Sequence, residues 1–124
     1  MAKEQVVYEY YRILEERDYD ALMSLFSKEA VVDHPIFGVM PATEFFKILL
    51  DRAQKHQIEI SDIMRSTTKD YRVAAFIYVT FFTKDNTKFE EKSVHIFDFD
   101  ESDHIQKISA ILDTFHFRDK YTNP

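Results

Sequence analysis

Two histidines stand where side-chain chemistry is easiest to build. His34 closes the segment Ala30-Val31-Val32-Asp33-His34 and is followed by Pro35. Proline disfavours a helical conformation in the residue before it and removes a backbone donor, so a β-rich run ends here with His34 beside a turn. A ring that opens onto a pocket at such a point titrates near neutrality and suits general acid or base work. The same ring, hydrogen-bonded at a helix–strand junction, would be structural, and both readings are open. Asp33 is adjacent and so points to the opposite face of a regular strand.

His95 falls in a run whose alternation puts Phe89, Glu91, Ser93, His95, Phe97 and Phe99 on one strand face. Burial on that aromatic face would lower its pKa and keep it neutral, able to donate from one nitrogen and accept at the other. A satisfied core histidine is the alternative. Tyr10 sits on the apolar stripe of the first helix, where a phenol in a dry cavity could donate to an oxyanion or simply pack. Asp113 follows Ile111 by two. Buried among Ile and Phe it would have a raised pKa and serve as an acid; on a solvated face it would pair with Arg72 or Lys107.

The elements that must position these residues follow from periodicity. Val6, Val7, Tyr10, Ile13 and Leu14 predict a helix over Lys3 to Arg17. A second helix is capped by Asp18 or Asp20. A strand ends at His34, Gly38 turns the chain, and Pro41 opens a third helix with Phe45, Phe46, Leu49, Leu50 and Ala53 on its apolar face and His56 near its end, facing the helix dipole. Strands are predicted over Ile58 to Ser66, with a bulge near Asp62, then Tyr71 to Thr83, Lys88 to Asp100 and His104 to Phe117. Lys84-Asp85-Asn86-Thr87 and Asp100-Glu101-Ser102-Asp103 are the turns between the last three. The tail from Arg118 to Pro124 is expected to fray.

The 124 residues suit one domain, 1–124, with helices first and strands afterwards, an α+β order. Twelve Phe and seven Tyr against one Gly fill or line the interior. A net charge of −6 argues against a nucleic-acid partner. Without cysteine there is no disulfide, thiol nucleophile or Cys-ligated metal. The histidines have no paired metal-ligand spacing, His116 included, and no Gly-rich phosphate loop exists. No apolar run predicts a signal peptide or membrane span, so the expected location is cytoplasmic. Glu15-Glu16-Arg17-Asp18 and Glu90-Glu91-Lys92 read as solvated charge.

The stretch from Asp18 to Phe46, with its Asp33-His34-Pro35 strand end, single glycine and third helix, resembles the nuclear transport factor 2-like superfamily, in particular its SnoaL-like and steroid-isomerase-like branches. That resemblance implies a cystatin-like, NTF2-like cone: three N-terminal helices on a strongly curved antiparallel sheet that enclose a pocket. It places His34 where isomerase-like members keep a carboxylate base, His95 where they keep a protonated acid, and Tyr10 at their helix-one tyrosine. Asp113 takes the place of an acid in SnoaL-like cyclases. Imidazoles in both carboxyl positions make steroid isomerisation itself doubtful. The mix of His, Tyr and acid is also similar to the dehydratase branch.

The expected function is accordingly a cofactor-independent isomerase, dehydratase or cyclase that moves protons on a small apolar carbonyl compound. His34 would be the base, Tyr10 and His95 the donors to an oxygen, and Asp113 an acid. The pocket would be lined by Phe37, Phe46, Phe76, Ser93 and Phe97. No cofactor or metal is expected. The alternative is a binding or association module without catalysis. Apolar residues on both faces of Tyr71 to Thr83 point to a homodimer through the sheet.

Overall fold

A computed structural model describes residues 1–115. Helix α1 spans Lys3–Glu16, and its stripe of Val6, Val7, Tyr10, Ile13 and Leu14 is buried. Arg17 ends it in the left-handed region, φ 62°, with its N–H returned to the Leu14 carbonyl at 3.1 Å. Asp18 then accepts the Ala21 N–H at 3.1 Å and starts α2, Tyr19–Met23.

Strand β1, Phe26–His34, stops at Pro35. Gly38, at φ +72°, reverses the chain into β2, Gly38–Pro41, which pairs antiparallel with β1 so that His34 lies opposite Gly38. This short strand was read as a turn from sequence, being four residues with little periodicity. Helix α3 follows over Ala42–Arg52 and turns Phe45 and Phe46 inward.

The rest is strand: β3 Ala53–Arg65, β4 Arg72–Thr83, β5 Lys88–Phe99 and β6 Ile105–Leu112. Together with β1 and β2 they form one six-stranded sheet in the order β2-β1-β6-β5-β4-β3. The ladder of β3 on β4 shifts between Ile60 and Asp62, the bulge expected near Asp62, and again between Ala53 and Lys55. The expectation of an antiparallel sheet holds for every pairing except one. β1 runs parallel to β6, which makes the curved sheet mixed. Parallel neighbours need a long connection, and here everything from β2 to β5 supplies it, a relation that strand periodicity does not encode.

Alternation along β4 sends Val73, Ala75, Ile77, Val79 and Phe81 inward and leaves Ala74, Phe76 and Tyr78 on the outer face. The helices cover the inner face. Phe46 and Phe97 are fully enclosed there, each contributing about 1.5–3 kcal/mol of burial. Tyr10 meets the rings of Phe26, Phe46 and Phe97 edge-on at 5.4–6.1 Å. Strand β6 ends at Leu112, short of Phe117. His116 and the expected frayed tail lie outside the described residues. Among the described residues, no helix is long and apolar enough to cross a membrane.

Candidate functional site

The sheet register brings the two histidines into one row. Ala75 on β4 pairs with His95 on β5, and His95 with Ala110 on β6. Asp33 on β1 pairs with Ser109, so His34, the next residue, is level with Ala110. His34 and His95 therefore flank a single alanine, their backbones about 10 Å apart at ordinary strand spacing. All three residues line one cavity of about 50 Å³, enclosed by Tyr10, Tyr11 and Leu14 of α1 and Phe45 and Leu49 of α3.

Each imidazole is held by a hydrogen bond. The Ile36 N–H donates to His34 Nδ1 at 3.1 Å. An amide can only donate, so the neutral ring carries its proton on Nε2. Phe37 and Phe45 face the ring at 5.2 and 5.6 Å. Burial lowers the His34 pKa to about 4, the Asp33 charge opposing it. His95 Nδ1 lies 2.7 Å from the Tyr11 hydroxyl, and the two rings stack at 5.9 Å. Burial lowers this histidine to about 4 as well, with nearby His34 adding to the effect. Both rings are neutral at pH 7. The phenols are protonated too, because burial raises the pKa of Tyr10 and of Tyr11.

The inner face of β5 continues to a second set of polar groups. Ser93 is buried and its Oγ donates to Glu91 Oε1 at 3.2 Å. Glu91 lines the cavity, and burial lifts its pKa to about 7 against the Ser93 hydrogen bond. His56, on β3, stacks on Phe81 at 5.9 Å and lines the same cavity. It is 5% exposed, yet neither ring nitrogen has a hydrogen-bond partner. Burial, with the Arg17 charge, lowers it to about 4. Arg17 itself donates to the Leu50 carbonyl at 2.5 Å.

The sequence-expected residues divide cleanly. His34, His95 and Tyr10 come together around the cavity. Ser93 lies on the same inner face, and Phe37 packs against His34. Phe46 and Phe97 are core rather than lining. Phe76 is a correction: it points to the outer face, opposite the cavity, because inward positions on β4 are the odd-numbered ones. Asp113 is another. It is exposed beyond the end of β6, where its carboxylate accepts the Phe115 N–H at 2.9 Å in a tight turn, and Ile111, 56% exposed, shares its outward direction. Nor does it pair with Arg72, whose guanidinium grips Asp98 at 2.7 and 3.0 Å.

Three polar lining residues were missed. Tyr11 completes the Val7-Tyr11-Leu14 spacing of the buried stripe, a signal present in the sequence. Glu91 had been read as solvated charge, although the alternation of β5 already put it beside Ser93 and His95. His56 had been placed at the end of α3, but that helix stops at Arg52 and Ala53 is already extended, so the ring belongs to a strand and serves no helix dipole.

No family model matches the chain, and no curated protein matches it. Solved structures do. SalBIII, an epoxide hydrolase/cyclase-like enzyme in pyran ring formation of the polyether salinomycin, superposes with a TM-score of 0.80 at 17% identity, over 91% of this chain and 92% of that one. An NTF2-like protein of unknown function from Burkholderia pseudomallei gives 0.81 at 14% identity over 100% of both chains. The chain has the NTF2-like fold. A structure assigned as a SnoaL-like polyketide cyclase from Shewanella putrefaciens shares the NTF2-like cone, with a TM-score of 0.77 at 11% identity over 96% of this chain and 95% of that one.

Proposed function

We propose that this NTF2-like, SnoaL-like domain is a cofactor-independent enzyme of the isomerase, dehydratase or cyclase type, moving a proton on a small, largely apolar carbonyl compound. The observation that carries this is the pair of neutral imidazoles flanking Ala110 in a cavity lined mainly by aromatic and aliphatic side chains. With its Nδ1 lone pair held by the Ile36 amide, His34 is a donor through Nε2–H and not the base expected from sequence. If the Tyr11 phenol donates to His95 Nδ1, His95 likewise presents Nε2–H, and Tyr11 sets that tautomer. Two uncharged donors suit an oxygen that gains negative charge during reaction; one such donor is commonly worth about 10²–10³ in rate.

Cyclohexenone, a small conjugated ketone, in heavy water tests the reading. The domain is expected to catalyse deuterium uptake at carbons beside or conjugated to the carbonyl, read by proton NMR, and His95→Gln to lower it at least tenfold. A wild-type protein that exchanges nothing overturns enzymatic proton transfer.

One observation favours the alternative of a non-catalytic module: about 50 Å³ is far below the ~300 Å³ of pockets for drug-sized ligands. Ligand-induced stabilisation without turnover would select it. The acidic, cysteine-free chain is read as cytoplasmic, with no nucleic-acid or membrane partner. A second copy is proposed as partner through the outer sheet face. Phe76, Val94 and Ile111 stand in one cross-strand row there, near Tyr78, which is 41% exposed.

A further inference from the structure

We propose that Glu91 and His56 form the second pole of this cavity: Glu91 takes and returns the substrate proton, and His56 binds a further neutral oxygen of the substrate, a hydroxyl or ether. The inference rests on the proton-transfer reading above and supplies what that reading lacks, a base. His34 cannot be one while its only lone pair is engaged, and His95 shares its Nδ1 with Tyr11.

The geometry points to Glu91. Its carboxyl is on the inner face of β5, lines the same cavity as both histidines, and is steadied by the buried Ser93 hydroxyl at 3.2 Å. A carboxyl that titrates near 7 is matched to proton transfer at neutral pH. The titratable groups that line the cavity with it are Tyr10 and Tyr11 from α1, His34 from β1, His56 from β3 and His95 from its own strand; β4, β6 and α3 contribute only apolar side chains to the lining. None of these partners is charged at neutral pH, and the Ser93 hydroxyl donates to the carboxylate from beside the lining.

His56 supplies the independent observation. A buried imidazole normally satisfies at least one nitrogen. Here both lack a protein partner in a side chain 95% enclosed, taken as the complement of its 5% exposure, and the ring lines the cavity. The ladders place it one inward row beyond Glu91: Ile58 aligns with Val79 and Glu91, His56 with Phe81 and Phe89.

Spacing defines the substrate class. His95 and Glu91 are four residues apart on one strand, about 13 Å along the backbone at 3.3 Å per residue. Side chains narrow that gap, but a carbonyl oxygen at the histidines leaves Glu91 nearer a conjugated γ-carbon than the α-carbon. The substrate is therefore an enone with a second oxygen toward His56. In the step, Glu91 carboxylate accepts the γ-proton. The C–H electron pair becomes the new C=C of a dienolate, and the carbonyl π pair moves onto the oxygen held by the imidazole N–H groups. Proton return from Glu91 to the α- or γ-carbon re-forms C–H and C=O, with no other reactant consumed.

The test uses cyclohexenone and its hydroxyl-bearing derivative, with two readouts. By carbon-13 NMR, a carboxyl signal identified by its loss in Glu91→Gln should titrate near neutrality and shift when cyclohexenone is added. By deuterium uptake, Glu91→Gln, which keeps the Ser93 contact, should lower exchange at the γ-carbon at least a hundredfold. His56→Phe should abolish the preference for the hydroxyl-bearing compound while Glu91 still responds. A Glu91 signal that titrates as an ordinary carboxylate and ignores cyclohexenone overturns the second pole, whether or not exchange occurs. Exchange undiminished in Glu91→Gln overturns it too. Absence of exchange in the wild type, with Glu91 responding, instead removes the enzymatic reading and leaves the pole as a binding site.

Discussion

The Tyr11 hydroxyl lies 2.7 Å from His95 Nδ1, tying the middle of α1 to β5 across 84 positions of the chain. One contact thus ties the docking of the helix on the sheet to the protonation of the His95 ring. Tyr11→Phe should alter the protonation and little of the docking. Unfolding free energy is expected to fall by about 1 kcal/mol, the usual net value of a hydrogen bond. Nitrogen-15 NMR of the His95 ring should show mixed tautomers where the wild type shows one. An unchanged ring spectrum would mean that Tyr11 does not govern the tautomer.

His34→Asn separates anchoring from chemistry. The Asn side-chain oxygen can accept the Ile36 N–H much as Nδ1 does, but offers no group at the Nε2 position. Denaturant midpoints should stay close to wild type for Asn and drop for His34→Ala, by about 1–3 kcal/mol for the stranded buried donor. Deuterium exchange should fall at least tenfold in both.

Stability should rise from about pH 4.5 through neutrality. His34, His56 and His95 are held at about 4 against an ordinary 6.5, so between those values the unfolded chain binds more protons and stability is lost as pH falls. Glu91 is raised from 4.5 to about 7, so in that window the folded chain binds more and stability is lost as pH rises. Three imidazoles, each half protonated at pH 6.5 in the unfolded chain, outweigh one carboxyl through neutrality, and Glu91 only flattens the rise. Glu91→Gln should steepen that rise. Urea titrations across this range provide the check, and a profile flat from 4.5 to 6.5 would contradict the enclosure of the histidines.

Gly38→Ala probes the turn beside His34. At φ +72° with nothing within 4 Å of an added Cβ, the cost is backbone strain alone, about 1–2 kcal/mol, and no rearrangement of neighbours. A loss well above that in thermal unfolding would show that the turn contributes packing as well.

Val94→Lys addresses the outer face. Val94 pairs with Phe76 and with Ile111, and the cavity lies on the other side of the sheet. Light scattering should give twice the chain mass for wild type and the single mass for the variant, with proton exchange retained by a folded monomer. Wild type at the single mass would dispose of the dimer.

Much of this architecture was legible because it is local. Period-three-and-four spacing placed α1, Pro35 ended β1, and alternation sorted β5 into faces, whereas β4, apolar on both, left Phe76 on the wrong side. The bulge near Asp62 was visible as a break in that alternation. What was not legible depends on which strand sits beside which. Nothing near Asp113 announces that β6 stops at Leu112 and turns the acid into solvent. Nothing near Glu91 announces the cavity either; its acidic neighbour Glu90 and the following Lys92 are exposed, and only its parity with Ser93 and His95 distinguished it. The base role assigned to His34 gave way to a single backbone N–H two residues on, an interaction that no pattern of residue types carries.

The parallel pairing of β1 with β6 also orders the birth of the site in time. His34 is made before β2 to β5, yet the strand that seats it, β6, is made after them. While a nascent chain has reached only β5, β1 has no neighbour on that side, and the row through Ala110 does not exist. Contacts so distant in sequence slow folding because a long loop must close before they form. The row that joins His34 to His95 therefore exists only once β6 is made: a fragment ending before Ile105 can carry Glu91 and His56 and still lack it.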